Sequence, residues 1–331
     1  MSEPTGPGLL DAYGWTPAVA GRLAGLGGTP GRVVRVDRGA CIVVTAGGLI
    51  TAGIGVGVRP ATGDWTTVAG DPPMLDTLAE RTTALVRRAP SGRREQVLAA
   101  EIQAAWIILG MDRPINAGRV ERALVVTHDA GIAPSVVLAK ADLAADLPKA
   151  EAALAAVAPG VPVHPVIALT GEGLAPLRAQ LATPLTVALV GESGAGKSTL
   201  VNALAGQDLH RTAEVRARDR KGRHTTVSRE LVPVPGGGVL LDAPGVRELG
   251  VLAADRGLAA AFPEIAALAR DCRFADCAHG AEPGCAVQSA LADGRLEPRR
   301  WSRYQVLAEE VAAAHAETER GGAARGRPTP R

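Results

Sequence analysis

Aromatic side chains are nearly missing from this sequence: Phe, Tyr and Trp together make up 2% of 331 residues. Stacking platforms for nucleobases are therefore scarce, and aliphatic side chains must fill the cores. Long apolar runs are missing as well, and none reaches the roughly 20 residues that a membrane-spanning helix needs. The opening residues, MSEPTGPGLLDAYGW, lack the basic and apolar regions of a secretory signal. Net charge is only +2, so any polyanionic partner has to be met by local clusters. Cysteine is rare: Cys41 stands alone, while Cys272, Cys277 and Cys285 cluster in a pattern better suited to metal than to disulfides. With 47% hydrophobic and 21% charged residues, the expectation is a soluble cytoplasmic protein, without membrane contact and monomeric.

One stretch organises what is present. Thr186 to Leu204 reads TVALVGESGAGKSTLVNAL. Val187, Ala188, Leu189 and Val190 form an apolar run typical of a buried parallel strand. Gly191, Glu192, Ser193, Gly194, Ala195, Gly196, Lys197 and Ser198 then match G-x-x-x-x-G-K-[ST], followed by Thr199 and helix-compatible apolar spacing. Such a loop turns successive N–H groups toward a phosphate chain at a helix N-terminus. Lys197 would reach the β- and γ-phosphates, and the Ser198 hydroxyl would ligate Mg²⁺.

Residues 1–27 are rich in Gly and Pro and read as a loosely attached lead-in. Residues 28–92 show short strands (RVVRV, ACIVVTA, GLITAGIGV and GDWTTV), which predict a five-stranded OB-type barrel. Cys41 reads as a core residue, and Trp65, the lone aromatic there, gives little support to base stacking. Arg81, Arg87, Arg88, Arg93 and Arg94 either contact phosphates or form a solvated basic linker. Residues 93–253 alternate strands with helices, the pattern of a parallel α/β sheet. Strands are expected at 105–109, 135–139 and 161–169, and helices at 117–126, 147–157 and 173–181. A hairpin around Gly236-Gly237-Gly238 leads into Asp242-Ala243-Pro244-Gly245. Residues 254–312 predict a small helical domain around the cysteines, and residues 313–331 a disordered tail.

Asp242 closes an apolar strand, where it can hold Mg²⁺ through water while the Gly245 N–H meets a γ-phosphate. Between it and the P-loop lies Gly222-Arg223-His224-Thr225-Thr226, with Thr226 favoured to complete the Mg²⁺ shell. Residues 211–223 carry a net charge of +4, which suits either a solvated switch loop or one captured by RNA phosphates. Upstream, Ala139-Lys140-Ala141-Asp142 resembles the N-K-x-D guanine box, with Asp142 accepting from the base and the Lys140 stem along the ring. Ile167-Ala168-Leu169 resembles the S-A-x box, whose backbone N–H, here that of Ala168, meets guanine O6. Both base boxes precede the P-loop, so the order of the parts is a permutation of the ordinary one.

That order, with GESGAGKSTLVNAL, GRHTT, DAPGVRELG and CRFADCAHGAEPGC, resembles the ribosome-small-subunit-dependent circularly permuted GTPases, the RsgA or YjeQ family, over about residues 28–310. The resemblance implies an OB barrel, a permuted GTPase domain and a zinc domain. It also implies GTP hydrolysis to GDP, stimulated by the small subunit and its rRNA, in late subunit maturation. Cys272, Cys277, His279 and Cys285 offer three thiolates and an imidazole, a set suited to one structural tetrahedral zinc ion.

Several positions depart from the family pattern. Ala139 replaces the box Asn, which predicts weaker GTP binding with guanine preference retained at least in part. Ile167 stands in place of Ser, and Val246, as is usual in the family, leaves no Gln to orient water. Leu252 and Ala253 occupy the region where the family carries a His, so His224, or a partner, is assigned to position the water, with slow intrinsic hydrolysis and Lys197 on the phosphates. Two other readings compete: a nucleotide-holding assembly factor that hydrolyses little, and an ATP-using P-loop enzyme, which Asp142 disfavours because its carboxylate would repel adenine N1.

Overall fold

Five short strands close the first unit: β1 Thr29–Val36, β2 Ala40–Thr45, β3 Gly48–Ile54, β4 Trp65–Ala69 and β5 Met74–Leu78. They belong to a computed structural model that describes residues 8–88, 95–206, 229–242 and 254–325. The barrel order is β1-β2-β3-β5-β4, with β3 and β5 parallel and β1 antiparallel to both β2 and β4. This is the closed five-stranded arrangement of an OB fold. Its interior is aliphatic, made of Val33, Val43, Ala52, Val68 and Leu75 around Cys41. Burial pushes the Cys41 thiol up to about 11, which leaves it an inert core group. Two further strands, β6 Ala84–Arg88 and β7 Glu95–Ala100, form a separate ribbon between the barrel and the next sheet.

The lead-in is not loosely attached. A short 3-10 turn, Asp11–Tyr13, precedes helix α1 Pro17–Leu23, which the Thr16 hydroxyl caps by accepting the Val19 N–H at 3.3 Å. Leu10, Tyr13, Val19 and Leu23 are buried, and Trp15 meets Trp65 edge-on at 5.5 Å. The scarce large apolar groups of the lead-in thus cluster with Val34, Val44 and Trp65 on the barrel's outer face, and that burial outweighs the Gly/Pro composition. Trp65 is itself a core residue, with the Arg32 guanidinium 5.0 Å above its ring.

Arg32 ties the barrel to everything around it. It is buried in β1, yet its guanidinium donates to the carbonyls of Gly63, Tyr13 and Glu101 and, at 2.7 Å, to the Thr186 hydroxyl. Desolvation brings this guanidinium down to about 10, which still leaves it charged at neutral pH. Glu101, in left-handed conformation at φ 58°, accepts both Arg22 nitrogens and the Thr82 N–H. Burial works to raise its carboxyl, but the bonds from Arg22 and Thr82 outweigh it and hold the group below its ordinary value.

The second sheet has the order β10-β9-β8-β11-β13-β12. Its strands are β8 Ala104–Gly110, β9 Ala133–Ala139, β10 Val163–Val166, β11 Thr186–Gly191, β12 Leu231–Pro233 and β13 Val239–Asp242. All neighbours are parallel except β12, which returns antiparallel to β13. Helices α2 Ala117–Asp129, α3 Leu147–Val157, α4 Leu174–Leu181 and α5 Lys197–Ala205 complete this layer. The register sets Gly110 beside Ala139, Gly191 beside Ile108, and Asp242 beside Leu189. The carboxyl ends of four strands therefore share one edge, the place where open α/β sheets bind ligands.

The C-terminal helices are α6 Asp255–Ala261, α7 Pro263–Arg270, α8 Ala286–Ala292 and α9 Pro298–Arg325. Helix α6 crosses α2 so closely that a Cβ on Gly257 would lie 2.0 Å from the Val125 carbonyl oxygen. Glu121 of α2 is buried and accepts from Arg300 at 2.6 Å and from Arg303 at 2.7 Å, while Arg122 pairs with Glu310. Arg300 also donates to the Val157 and Ala261 carbonyls and lies 4.1 Å above the Phe262 ring. The tail expected to be disordered from residue 313 is instead helical as far as Arg325. Leu307, Val311 and Ala314 are buried along α9, and no proline interrupts the helix before Pro328.

Arg32→Met leaves the carbonyls and the hydroxyl it serves without a donor, and is expected to cost about 3 kcal/mol or more in urea unfolding. Glu101 adds stability above its unfolded value near 4.5, and loses it as pH falls through the lowered folded value. The difference in urea midpoint between the parent and Glu101→Gln should therefore shrink as pH is taken from about 6 to about 3.

Candidate nucleotide site and metal centre

Strand β11 is buried along its whole length and delivers the chain to the loop at Gly191. A Cβ there would lie 2.6 Å from the Ile108 carbonyl oxygen, so only glycine lets β11 approach β8 at this point. Gly194 and Gly196 take left-handed φ values of 77° and 103°, which favour glycine, and they curl the backbone into the start of α5. Leu200, Val201 and Leu204 bury the inner face of that helix. Ser198 and Thr199 stay exposed in its first turn, where the backbone N–H groups have no helical partner. The Lys197 ammonium lies over the loop and donates to the Gly191 and Glu192 carbonyls at 2.9 Å each.

The residues expected to form the guanine box meet this loop from the neighbouring strands. Ala139 ends β9 buried, and its Cβ lies 3.3 Å from where a Cβ on Gly196 would stand. Lys140, at φ 58°, donates to the Gly194 carbonyl at 2.8 Å and to Asp112 at 2.7 Å. Asp142 is exposed in the 3-10 turn Ala141–Leu143 that follows. Ala168 follows β10, the next strand, in a loop closed by the Ile167 N–H on the Glu172 carbonyl at 3.0 Å and the Gly171 N–H on the Ile167 carbonyl at 2.9 Å. The Thr170 hydroxyl adds to this closure, donating to the Ile167 carbonyl at 3.3 Å and accepting the Glu172 N–H at 3.4 Å.

Sequence reasoning missed the groups that follow β8. Asp112 accepts from Lys140 and from its neighbour Arg113 at 3.2 Å. Arg113 lies 3.9 Å from Glu192 of the P-loop, and Glu192 also pairs with Arg119 of α2. Charges of alternating sign, Lys140, Asp112, Arg113, Glu192 and Arg119, thus run along the edge of the loop. The Arg113 and Lys140 hydrogen bonds hold the Asp112 carboxyl down to about 2. A shallow, open cleft lies beside them, lined by Ile108, Pro114, Asn116, Arg119 and Ala195. The signal available in sequence was positional: Asp112-Arg113 directly follows a strand that ends at the same edge as the P-loop.

Not every expected group belongs to the described residues. Asp242 ends β13 one strand from the P-loop, and its side chain lies outside the described residues, as do His224, Thr226, Gly245, Val246, Leu252, Ala253 and the basic segment 211–223. Arg81, one of the candidate phosphate contacts, is committed elsewhere: it grips the buried Asp64 carboxylate with two bonds of 2.6 Å. Desolvating Asp64 requires that partner, so Arg81 belongs to the barrel. Arg87 donates to Gln96 across the β6–β7 ribbon at 3.1 Å.

The cysteine cluster converges. The ligand atoms of Cys272, Cys277, His279 and Cys285 all lie within 4.8 Å of one another. Cys272 Sγ is 3.5 Å from His279 Nδ1 and 3.9 Å from Cys285 Sγ, and Cys285 Sγ is 3.6 Å from the same nitrogen. A tetrahedral ion with sulfur at 2.3 Å and nitrogen near 2.0 Å has edges of about 3.8 Å for S···S and about 3.5 Å for S···N. The three edges among Cys272, His279 and Cys285 match those lengths, and Cys277 Sγ lies within 4.8 Å of the other three atoms, so the cluster could hold a metal ion. The loop is shaped for it: His279 is left-handed at φ 59°, Glu282 accepts the Ala278 and Gly280 N–H groups, and Gln288 donates to the His279 carbonyl at 2.6 Å. Cys285 also caps α8, its sulfur accepting the Gln288 N–H.

Comparison with known proteins agrees with this geometry. The family model described as RsgA GTPase matches residues 78–252. The protein named small ribosomal subunit biogenesis GTPase RsgA from Streptomyces avermitilis is 45% identical, covering 94% of this chain and 88% of the relative. Its namesake from Opitutus terrae is 40% identical over 92% of this chain and 90% of its own. Among solved structures, YjeQ from Thermotoga maritima aligns with a TM-score of 0.63 at 20% identity, over 86% of this chain and 98% of that one. The structure titled YloQ, a circularly permuted GTPase, aligns with a TM-score of 0.58 at 22% identity, over 86% and 95%. With its barrel, a sheet whose base-box strands precede the P-loop in sequence, and a three-cysteine, one-histidine cluster, the chain belongs to the RsgA GTPase family.

Proposed function

We propose that this chain binds GTP along the carboxyl edge of its sheet, hydrolyses it to GDP and phosphate, and acts on the small ribosomal subunit during its maturation. The observation that carries the reading is the meeting of base box and phosphate loop, with Lys140 on the Gly194 carbonyl at 2.8 Å. The names carried by relatives as similar as 45% over most of the chain supply the ribosomal partner.

In this reading Gly191, Glu192, Ser193, Gly194, Ala195 and Gly196 present backbone N–H groups to the β-phosphate, with Thr199 following in the first turn of α5. Lys197 leaves its loop carbonyls for the β- and γ-oxygens and offsets the charge that gathers there in the transition state. Asp142 and the Ala168 N–H read the guanine edge, and the Gly245 N–H senses the γ-phosphate. Ser198, Thr226 and Asp242 would hold Mg²⁺, which when bound supplies charge neutralisation between the β- and γ-phosphates. An exposed Ser198 in the first turn of α5 and an Asp242 backbone one strand away favour that assignment. His224 positions the attacking water. The basic segment 211–223 meets rRNA phosphates, so ribosome binding weakens with salt.

In this reading the metal is zinc, favoured by three soft sulfurs and one imidazole, and its role is structural because four protein ligands leave no open position. We divide the chain into a lead-in at 1–27, a barrel at 28–92, a permuted GTPase domain at 93–253, a zinc domain at 254–312 and a terminal segment at 313–331. Among the described residues no helix is long and apolar enough to cross a membrane. The protein is placed in the cytoplasm, as a monomer, beside its ribosomal partner.

A second reading, a nucleotide-holding assembly factor with little turnover, draws on Ala139, which deprives the base box of its usual carboxamide. Turnover of GTP with and without purified small subunits, with ATP as control, separates the two. GTP-specific stimulation, lost by about 100-fold or more in Lys197→Ala, is the expected result. Intact GTP binding without turnover would instead favour the holding factor. Mass measurement under native conditions should find one zinc per chain, and Cys277→Ser should lower zinc occupancy and the melting temperature together.

A further inference from the structure

We propose that Asp112 is a positioning residue for guanine-nucleotide binding, holding Lys140 against the P-loop in place of the carboxamide that position 139 lacks. The inference rests on the reading of Lys140 and Asp142 as the base box.

Position 139 faces the phosphate loop directly, since the Ala139 Cβ lies 3.3 Å from the place a Cβ on Gly196 would take. A side chain longer than alanine would reach loop backbone from there. Alanine offers contact but no hydrogen bond, so the polar tie between base box and P-loop has to come from elsewhere. It comes from the next residue. The Lys140 ammonium bonds the Gly194 carbonyl at 2.8 Å and the Asp112 carboxylate at 2.7 Å. One flexible side chain is thereby fixed at two points. Without the carboxylate, the long lysine stem would be free to swing into solvent, and holding it still costs rotamer entropy.

Asp112 is itself held in place. The Met111 N–H donates to the Ala139 carbonyl at 2.9 Å, joining the ends of β8 and β9. Gly110 leaves room where a Cβ would stand 2.6 Å from the Asp112 carboxylate and 3.2 Å from the Ala195 Cα. Arg113 closes the other side at 3.2 Å. An isolated surface ion pair contributes little, but this one also grips a backbone carbonyl of the loop that binds phosphate. Its effect belongs in nucleotide affinity rather than in folding.

The test measures release and equilibrium binding of a fluorescent GDP by the full chain and its variants, together with steady-state turnover on small subunits. Asp112→Ala is expected to raise the GDP Kd and off-rate by about 10-fold or more. KM for GTP should rise, kcat at saturating GTP should stay within about twofold, and nucleotide-free melting should not change. Asp112→Asn keeps an acceptor for the ammonium and should recover most of the loss. Ala139→Asn added to Asp112→Ala should restore affinity as well, because it supplies the missing carboxamide; the Asn variant at 112 tests the idea independently should the longer side chain at 139 impair folding. Asp142→Asn, which should move preference from GDP toward xanthosine diphosphate, tests the base box itself. If that switch occurs while Asp112→Ala binds GDP as the parent does, the role of Asp112 is overturned and the base box stands. If Asp142→Asn leaves the preference unchanged, the base-box reading falls and takes the role of Asp112 with it. Equal losses of nucleotide-free stability and affinity in Asp112→Ala would also overturn the proposal, reducing Asp112 to a structural pair.

Discussion

A buried positive charge holds the two halves of this molecule to each other. Arg32 sits in the first strand of the barrel, yet one of its nitrogens reaches Thr186, the first residue of the strand that carries the P-loop. A guanidinium taken out of water is costly unless its donors are satisfied, and here they find the Tyr13, Gly63 and Glu101 carbonyls and the Thr186 hydroxyl. Those partners come from the lead-in, a barrel loop, the end of β7 and the start of β11. Satisfying one charge therefore fixes four segments distant in sequence, which hydrophobic burial alone would let slide. The barrel is held at the amino end of β11, and the glycine-rich loop leaves its carboxyl end, so the two lie at opposite ends of one strand.

A comparable arrangement ties the cysteine-bearing helices to the sheet. Helix α2 buries Glu121 between Arg300 and Arg303, pairs Arg122 with Glu310, and lets α6 approach at Gly257. The same helix carries Arg119, which pairs with Glu192 of the P-loop. One rigid element thus touches the phosphate loop near its amino end and the cysteine-bearing domain along its length. In an unpermuted order these parts would be joined through other connections. Here only residues 243–254 separate the end of β13 from α6, so the sheet edge and the cysteine-bearing domain are close in sequence.

The two sites differ in how much of them was legible. The P-loop could be read because its chemistry needs consecutive residues: glycines for left-handed turns, then Lys197 and Ser198 at a helix start. The cysteine cluster could be read for the same reason, since four ligands within one loop leave few ways to place a tetrahedral ion. The alternating charges that support the loop could not. Asp112, Lys140 and Glu192 are tens of residues apart, and an Asp-Arg pair after a strand looks like any polar turn until the register of β8, β9 and β11 brings it to the phosphate edge. The fifth barrel strand, MLDTL after Pro72-Pro73, was similarly hidden, because five residues carry too little alternation to stand out.

The sequence by itself determined the G-x-x-x-x-G-K-S loop, the cluster of three cysteines and a histidine, the permuted order of the parts and an aliphatic core nearly free of aromatics, because each of these is written in adjacent residues or in composition. Only the tertiary structure decided that the lead-in is part of the barrel, that Arg81 serves Asp64, that α9 continues to Arg325, and that Lys140 rather than residue 139 ties the base box to the P-loop. Those outcomes depend on which buried charges and apolar faces find partners across long separations. Pairing of that kind is settled by packing, where an unsatisfied charge or an uncovered tryptophan costs more than local propensity can offset.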